Sequence, residues 1–81
     1  GGTGYMLSGR TVYMQIVRRI RELFKSGRIK SNLEIEAHPE VAQYLTKSVL
    51  DDLGASIGRS ISIVVNPQIS REGYSLMAVA E

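Results

Sequence analysis

Residues 32–45 read NLEIEAHPEVAQYL, and this stretch decides the fold class. Its first half alternates apolar and polar side chains, which is typical of a strand with one buried face. Pro39 then suits the first turn of a new helix, because the N–H that proline lacks would have no helical partner there. The stretch therefore predicts a domain that mixes strands and helices.

Upstream of this stretch, apolar residues recur at helical spacing. They are Val12, Tyr13, Ile16, Ile20, Leu23 and Phe24. At about 100° per residue these side chains form one apolar stripe along a helix, and Phe24 is predicted to belong to the core. The helix is predicted to begin at Ser8 or Arg10 and to end at Gly27, a residue type that commonly follows a helix C-terminus.

Downstream of Pro39, the second helix is predicted to reach Gly58, the next natural helix end. Its apolar face shifts partway, which predicts a bend or two short helices near residues 46–48. Gly54 is expected to weaken the second part of this helix.

The last third of the chain is strand-forming. Residues 61–65, ISIVV, are β-branched or small. Pro67 ends this strand because it has no N–H for a ladder hydrogen bond. Residues 74–80 form a final strand. The sequence thus predicts a small α+β domain, in the order α-β-α-β-β, with its helices packed on one face of a three-stranded sheet.

Length and composition limit the possible classes of protein. The chain has 81 residues, which allows one domain. We expect a linker over residues 1–9, where glycines are frequent, and the domain over residues 10–81. The chain contains no cysteine, so no thiolate holds zinc and no disulfide forms. There is no signal-peptide pattern and no apolar run of the roughly 20 residues that a membrane helix needs. We expect a cytoplasmic protein without a membrane segment.

The charge distribution is uneven along the chain. Net charge is only +2, but seven of the ten Lys and Arg residues fall within the first 30 positions, where the only acid is Glu22. Arg18, Arg21 and Lys25 are predicted to lie on the helix face opposite the apolar stripe, and Arg28 and Lys30 to extend it. Such a face favours RNA or an acidic partner. The alternative is an ordinary solvated helix face.

A catalytic constellation is not evident in the sequence. His38, the only histidine, precedes a proline, which is typical of a helix N-cap or a surface residue. Glu34 and Glu36 share one strand face, where paired carboxylates either bind Mg²⁺ or form a solvated surface. We expect the solvated surface. The chain itself is predicted to be non-catalytic and to bind no metal or cofactor.

Three segments carry a resemblance to a known family. GRTVYMQIVRRI at 9–20, LEIEAHPEVAQYL at 33–45 and IGRSISIVVNPQISREGYSL at 57–76 resemble the C-terminal end of the ribonuclease E/G catalytic region. In that family a zinc-link motif, Cys-Pro-x-Cys-x-Gly-x-Gly, precedes a small domain of this length, and residues 2–4 are similar to the end of the motif. The stretch between residues 45 and 58 is shorter than is usual in the family.

This resemblance implies a parent enzyme that cleaves single-stranded RNA during RNA processing and decay. It implies that the parent uses Mg²⁺ for catalysis and Zn²⁺ to link subunits, at positions upstream of this chain. The expected function is a non-catalytic small domain that supports assembly of a homo-oligomer. The alternative is an RNA-binding module that uses the basic face of the first helix. Whether the parent is of the E or the G type stays open.

The assembly hypothesis also has candidate residues of its own. The chain has more apolar residues than one small core is expected to hold, so some are predicted to form an exposed interface patch. The candidates are Tyr44, Leu50, Leu53, Met77 and Val79.

Overall fold

A computed structural model of the protein describes residues 8–79. The elements follow in the order α1 (Gly9–Lys25), β1 (Asn32–Ala37), α2 (Pro39–Ala42), α3 (Lys47–Ile57), β2 (Ile61–Val65) and β3 (Tyr74–Val79). Most of the predicted linker, residues 1–7, and the predicted strand end at residue 80 lie outside the described residues. The predicted α+β class is confirmed.

The sheet has three strands in the order β2-β1-β3, with β1 in the centre. β1 and β2 run parallel and are joined by a crossover that contains α2 and α3, whereas β1 and β3 run antiparallel. In the centre of the sheet, Ile35 lies opposite Ile63 of β2 and Leu76 of β3. The sequence predicted the three strands but not this order.

The core lies between the helices and one face of the sheet. Alternate residues of β1 are buried, as the sequence pattern predicted. They join the buried side chains of the three helices, and of the turn after α2, in one cluster: Val12, Ile16, Ile20, Leu33, Ile35, Ala37, Val41, Leu45, Leu50, Leu53 and Ile57. Full burial of one such aliphatic side chain contributes about 1.5–3 kcal/mol. The other face of β1, with Glu34 and Glu36, points away from this core.

The ends of α1 are set by local hydrogen bonds. The Ser8 hydroxyl accepts a hydrogen bond from the Thr11 N–H at 3.1 Å, so Ser8 is the N-cap. Gly27 has φ +72°, and the Arg28 N–H donates to the Leu23 carbonyl at 2.9 Å. This closure of the last turn through a left-handed glycine confirms the predicted start and end of the helix.

The second predicted helix is two separate helices, α2 and α3, which confirms one of the two alternatives that the sequence predicted. His38 caps α2, its Nδ1 accepting a hydrogen bond from the Glu40 N–H at 3.1 Å. After four residues α2 ends, and Thr46 caps α3 by accepting from the Val49 N–H at 3.3 Å. The break lies over residues 43–46, slightly before the predicted residues 46–48, because Thr46 caps a new helix that already includes residues 47 and 48.

Gly54 has a low helix propensity, but its lack of a side chain allows a close approach between two segments of the chain. A Cβ at this position would lie 2.5 Å from the Arg59 carbonyl oxygen, so only glycine allows the chain to pass this close. The chain turns back through Gly58, which has φ +69°, and the Arg59 N–H donates to the Gly54 carbonyl. This tight turn leads the chain directly from the end of α3 to the start of β2.

Candidate nucleic-acid interface

The outward face of α1 forms a shallow groove with a volume of about 550 Å³. Its lining residues recur every three or four positions, which places them on one side of the helix. They are Arg10, Tyr13, Met14, Val17, Arg18, Arg21, Glu22 and Lys25. The same helix therefore presents its apolar stripe to the core and a mixed basic and apolar surface to the outside.

The groove is electropositive. It contains four cations, Arg10, Arg18, Arg21 and Lys25, and one acid, Glu22. The Glu22 carboxylate lies 3.8 Å from Arg19, which is outside the groove. Within residues 8–79, none of the four groove cations forms an ion pair with an acid. Their charge is therefore directed to solvent or to a partner.

Exposed apolar side chains accompany these cations. Met14 is 53% exposed and Phe24 is 46% exposed. The prediction that Phe24 belongs to the core is wrong. Phe24 lies one turn beyond Ile20, the last buried residue of α1, where the helix extends past the packed elements.

One side of the groove is fixed by an aromatic pair. The rings of Tyr13 and Tyr44 stack with their centroids 5.9 Å apart and an angle of 24° between their planes. This contact ties α1 to the turn that follows α2. From Tyr13 the groove continues into a crevice of about 220 Å³ between α1 and α3, where Asp52 and Arg21 are both lining residues. Asp52 therefore introduces negative charge at this edge.

Three of the five predicted RNA-contacting residues lie together. Arg18, Arg21 and Lys25 line the groove. Arg28 and Lys30 are exposed but do not line it, because the chain turns away from the helix axis at Gly27.

Sequence reasoning also missed groove residues, above all Arg10. About two helical turns separate Arg10 from Arg18, so their spacing alone indicates that both lie on the same side of the helix.

The predicted interface residues do not form one patch. Leu50 and Leu53 are 8% and 5% exposed and belong to the core, so the structure corrects their assignment to an exposed surface. Met77 is exposed and Val79 half-buried on the open face of the sheet, whereas Tyr44 lies on the helix side. The core accommodates both leucines because α3 presents them to it together with Ile57.

Two of the polar residues considered for catalysis, His38 and Glu36, have structural partners. His38 is a helix N-cap, as one of its predicted roles required. The Glu36 carboxylate accepts a hydrogen bond of 2.9 Å from the side-chain amide of Asn66, which fixes the end of β2 to β1. Among residues 8–79, no group of three or more His, Asp or Glu side chains is arranged to hold a metal ion.

Comparison with protein-family models finds no match for the chain, and comparison with curated proteins finds none either. Within the described residues, no helix has the length and apolar character needed to cross a membrane.

Proposed function

We propose that this domain is a non-catalytic accessory module of a ribonuclease E/G-type endoribonuclease, and that it holds RNA through the groove of α1. The observation that carries the proposal is the set of four groove cations without acidic partners in the described part of the chain. The resemblance of the three sequence segments to the ribonuclease E/G family is the basis for proposing this parent enzyme. The same proposal places the protein in the cytoplasm.

The geometry of the groove suits a phosphate backbone. From Arg10 to Lys25 the helix spans about 22 Å at 1.5 Å per residue, a length that covers several nucleotides. Each guanidinium donates several hydrogen bonds in a planar fork, which matches phosphate oxygens in pairs. Binding would release counterions from the RNA, so affinity is expected to fall as salt rises.

The chemistry of cleavage is assigned to the rest of the parent enzyme. The Zn²⁺ proposed for the parent requires thiolates, and this chain has no cysteine. The Mg²⁺ proposed for catalysis is likewise assigned to oxygen ligands of the parent enzyme outside this domain. The domain's own contribution is to hold RNA and raise its local concentration near the active site.

The salt dependence of RNA binding tests this proposal. Fluorescence anisotropy with a labelled eight-nucleotide single-stranded RNA would give the dissociation constant at several salt concentrations. Four phosphate contacts on a single strand predict a slope of about −2.8 in log K against log salt, at about 0.7 per contact. Absence of binding at 50 mM salt, or binding that does not change with salt, would contradict the proposal.

Subunit assembly is the second candidate function, and one observation favours it. The open face of the sheet exposes Val64 (38%) and Met77 (40%) on the two strands that flank β1. An apolar contact through this face would join the domain to other subunits of the same enzyme. Analytical ultracentrifugation of the protein at low salt and at high salt tests this candidate. Apolar self-association is expected to persist at high salt, whereas RNA binding weakens there.

A further inference from the structure

Phe24 is a large aromatic side chain that the fold leaves 46% exposed. It lies three residues after Arg21 and seven after Val17, so the helix places it on the same side as both. Lys25 follows it directly. Phe24 is not itself a lining residue of the groove, but its position on the helix places the ring beside the C-terminal end of the groove, where Arg21 and Lys25 lie.

The other ring beside the groove is already engaged. Tyr13 stacks on Tyr44, whereas Phe24 has no stacking partner among the described residues. The tight turn at Gly27 leads the chain away immediately after the helix, and no side chain from residues 8–79 covers Phe24 enough to bury it.

A positive groove beside an exposed ring is the arrangement by which proteins bind single-stranded nucleic acid, since a base without a pairing partner stacks on the ring while cations hold its phosphates. We propose that Phe24 is a base-stacking platform, and that the groove therefore selects unpaired nucleotides. This inference rests on the proposed RNA binding. Arg21 and Lys25 take the phosphates that flank the stacked base. Met14, which is 53% exposed between Arg10 and Arg18, offers a second apolar contact.

The selectivity follows from where bases lie. Within a duplex the bases stack on one another and present only their edges, so no internal π-face is available to stack on the ring of Phe24. An unpaired base offers its π-face, which does not depend on its identity. We therefore expect preference for single strands with little preference for sequence.

The experiment compares three ligands on the 81-residue chain at one salt concentration: an eight-nucleotide oligouridylate, an abasic chain of the same length, and an eight-base-pair RNA duplex. The wild-type chain is expected to bind the oligouridylate about tenfold more tightly than the abasic chain, the effect of one stacked base. In Phe24→Leu, which keeps an apolar side chain without a ring, the two affinities become equal and the abasic affinity is unchanged. Phe24→Trp restores the difference.

Val65→Ala is the matched control, because Val65 is similarly exposed at the end of β2 and belongs to neither the groove nor the proposed assembly surface. It should behave as wild type with all three ligands. Circular dichroism of each variant checks that the fold is retained.

The outcomes separate this inference from the proposed function. If the wild-type chain binds the oligouridylate and the abasic chain equally, or if Phe24→Leu keeps the difference, the platform is overturned while RNA binding stands. If the wild-type chain binds none of the three ligands, both are overturned. If Phe24→Leu changes only self-association, measured by sedimentation, then Phe24 serves a protein contact and the platform is again overturned.

Discussion

The two outer faces of the domain differ in charge. The outer face of α1 carries Arg10, Arg18, Arg21 and Lys25 along one groove. The open face of the sheet carries acids: Glu34 and Glu36 stand on the central strand. Their cross-strand neighbours on that face are uncharged, being Ser62, Val64, Ser75 and Met77.

The difference follows from the two-layer architecture of the domain. The inner sides of α1 and β1 must be apolar because they share one core. The outer sides have no such requirement, so their charge is available for partners. A phosphate backbone is attracted to the helix face and repelled by the sheet face. The same core thus separates the basic helix face, which we propose binds RNA, from the sheet face that we propose as the alternative assembly surface.

The largest effect is expected from breaking the core that holds the two faces apart. Ile16 is fully buried at the centre of α1. Ile16→Ala should lower the free energy of unfolding by about 2–5 kcal/mol through lost burial and a cavity. Urea denaturation measures this change. Met77→Ala on the exposed sheet face is the control, and an equal loss there would show that the core is not where we place it.

The next effect concerns the charge of the helix face. Arg18→Glu with Arg21→Glu should weaken RNA binding about tenfold at low salt and reduce the salt slope by about 1.4, because two phosphate contacts are lost. Anisotropy titration at several salt concentrations measures both. Arg28→Glu with Lys30→Glu makes the same change in net charge outside the groove and should cost clearly less. Equal losses would mean that RNA responds to net charge and not to the groove.

A smaller effect is expected at the edge of the sheet face. The Asn66 side chain donates to Glu36 and accepts from the Gln68 N–H, both at 2.9 Å. Asn66→Ala should destabilise the fold by about 1 kcal/mol and leave RNA affinity unchanged. Thermal unfolding and anisotropy together test this. A weakened RNA affinity would show that the two faces are coupled, contrary to our account.

The smallest effect is expected at the ion pair of Arg71 and Glu40, which joins the β2–β3 loop to α2. Arg71 Nη1 lies 3.0 Å from Glu40 Oε2, with both side chains about half exposed. Water and salt screen such pairs, so Arg71→Met should cost less than about 1 kcal/mol. Urea denaturation at low and high salt measures it. A loss above 2 kcal/mol would place Arg71 among the main supports of the fold.

Local signals in the sequence predicted most of the secondary structure. The hydroxyl of Ser8 and the glycine at position 27 mark the ends of α1, and alternation in β1 predicts its buried face. The strand order β2-β1-β3 was not predictable in this way, because it depends on contacts between residues 28–47 positions apart.

The candidate site was predicted in part. Helical spacing places Arg18, Arg21 and Lys25 on one side, and the structure brings them together. Spacing gives the direction of a side chain but not the extent of the core. The spacing therefore places Phe24 in the core, although it is 46% exposed, and leaves Leu50 among the interface candidates, although it is buried.

The central claim is that RNA binds the groove of α1, and an amide-resolved NMR titration of the 81-residue chain with a short single-stranded RNA tests it most directly. We predict chemical-shift changes along residues 10–25, strongest near Arg18, Arg21 and Lys25, while the amides of Glu34 and Glu36 stay unchanged. A titration at moderate salt without shifts, or with shifts confined to the sheet face, would contradict the account.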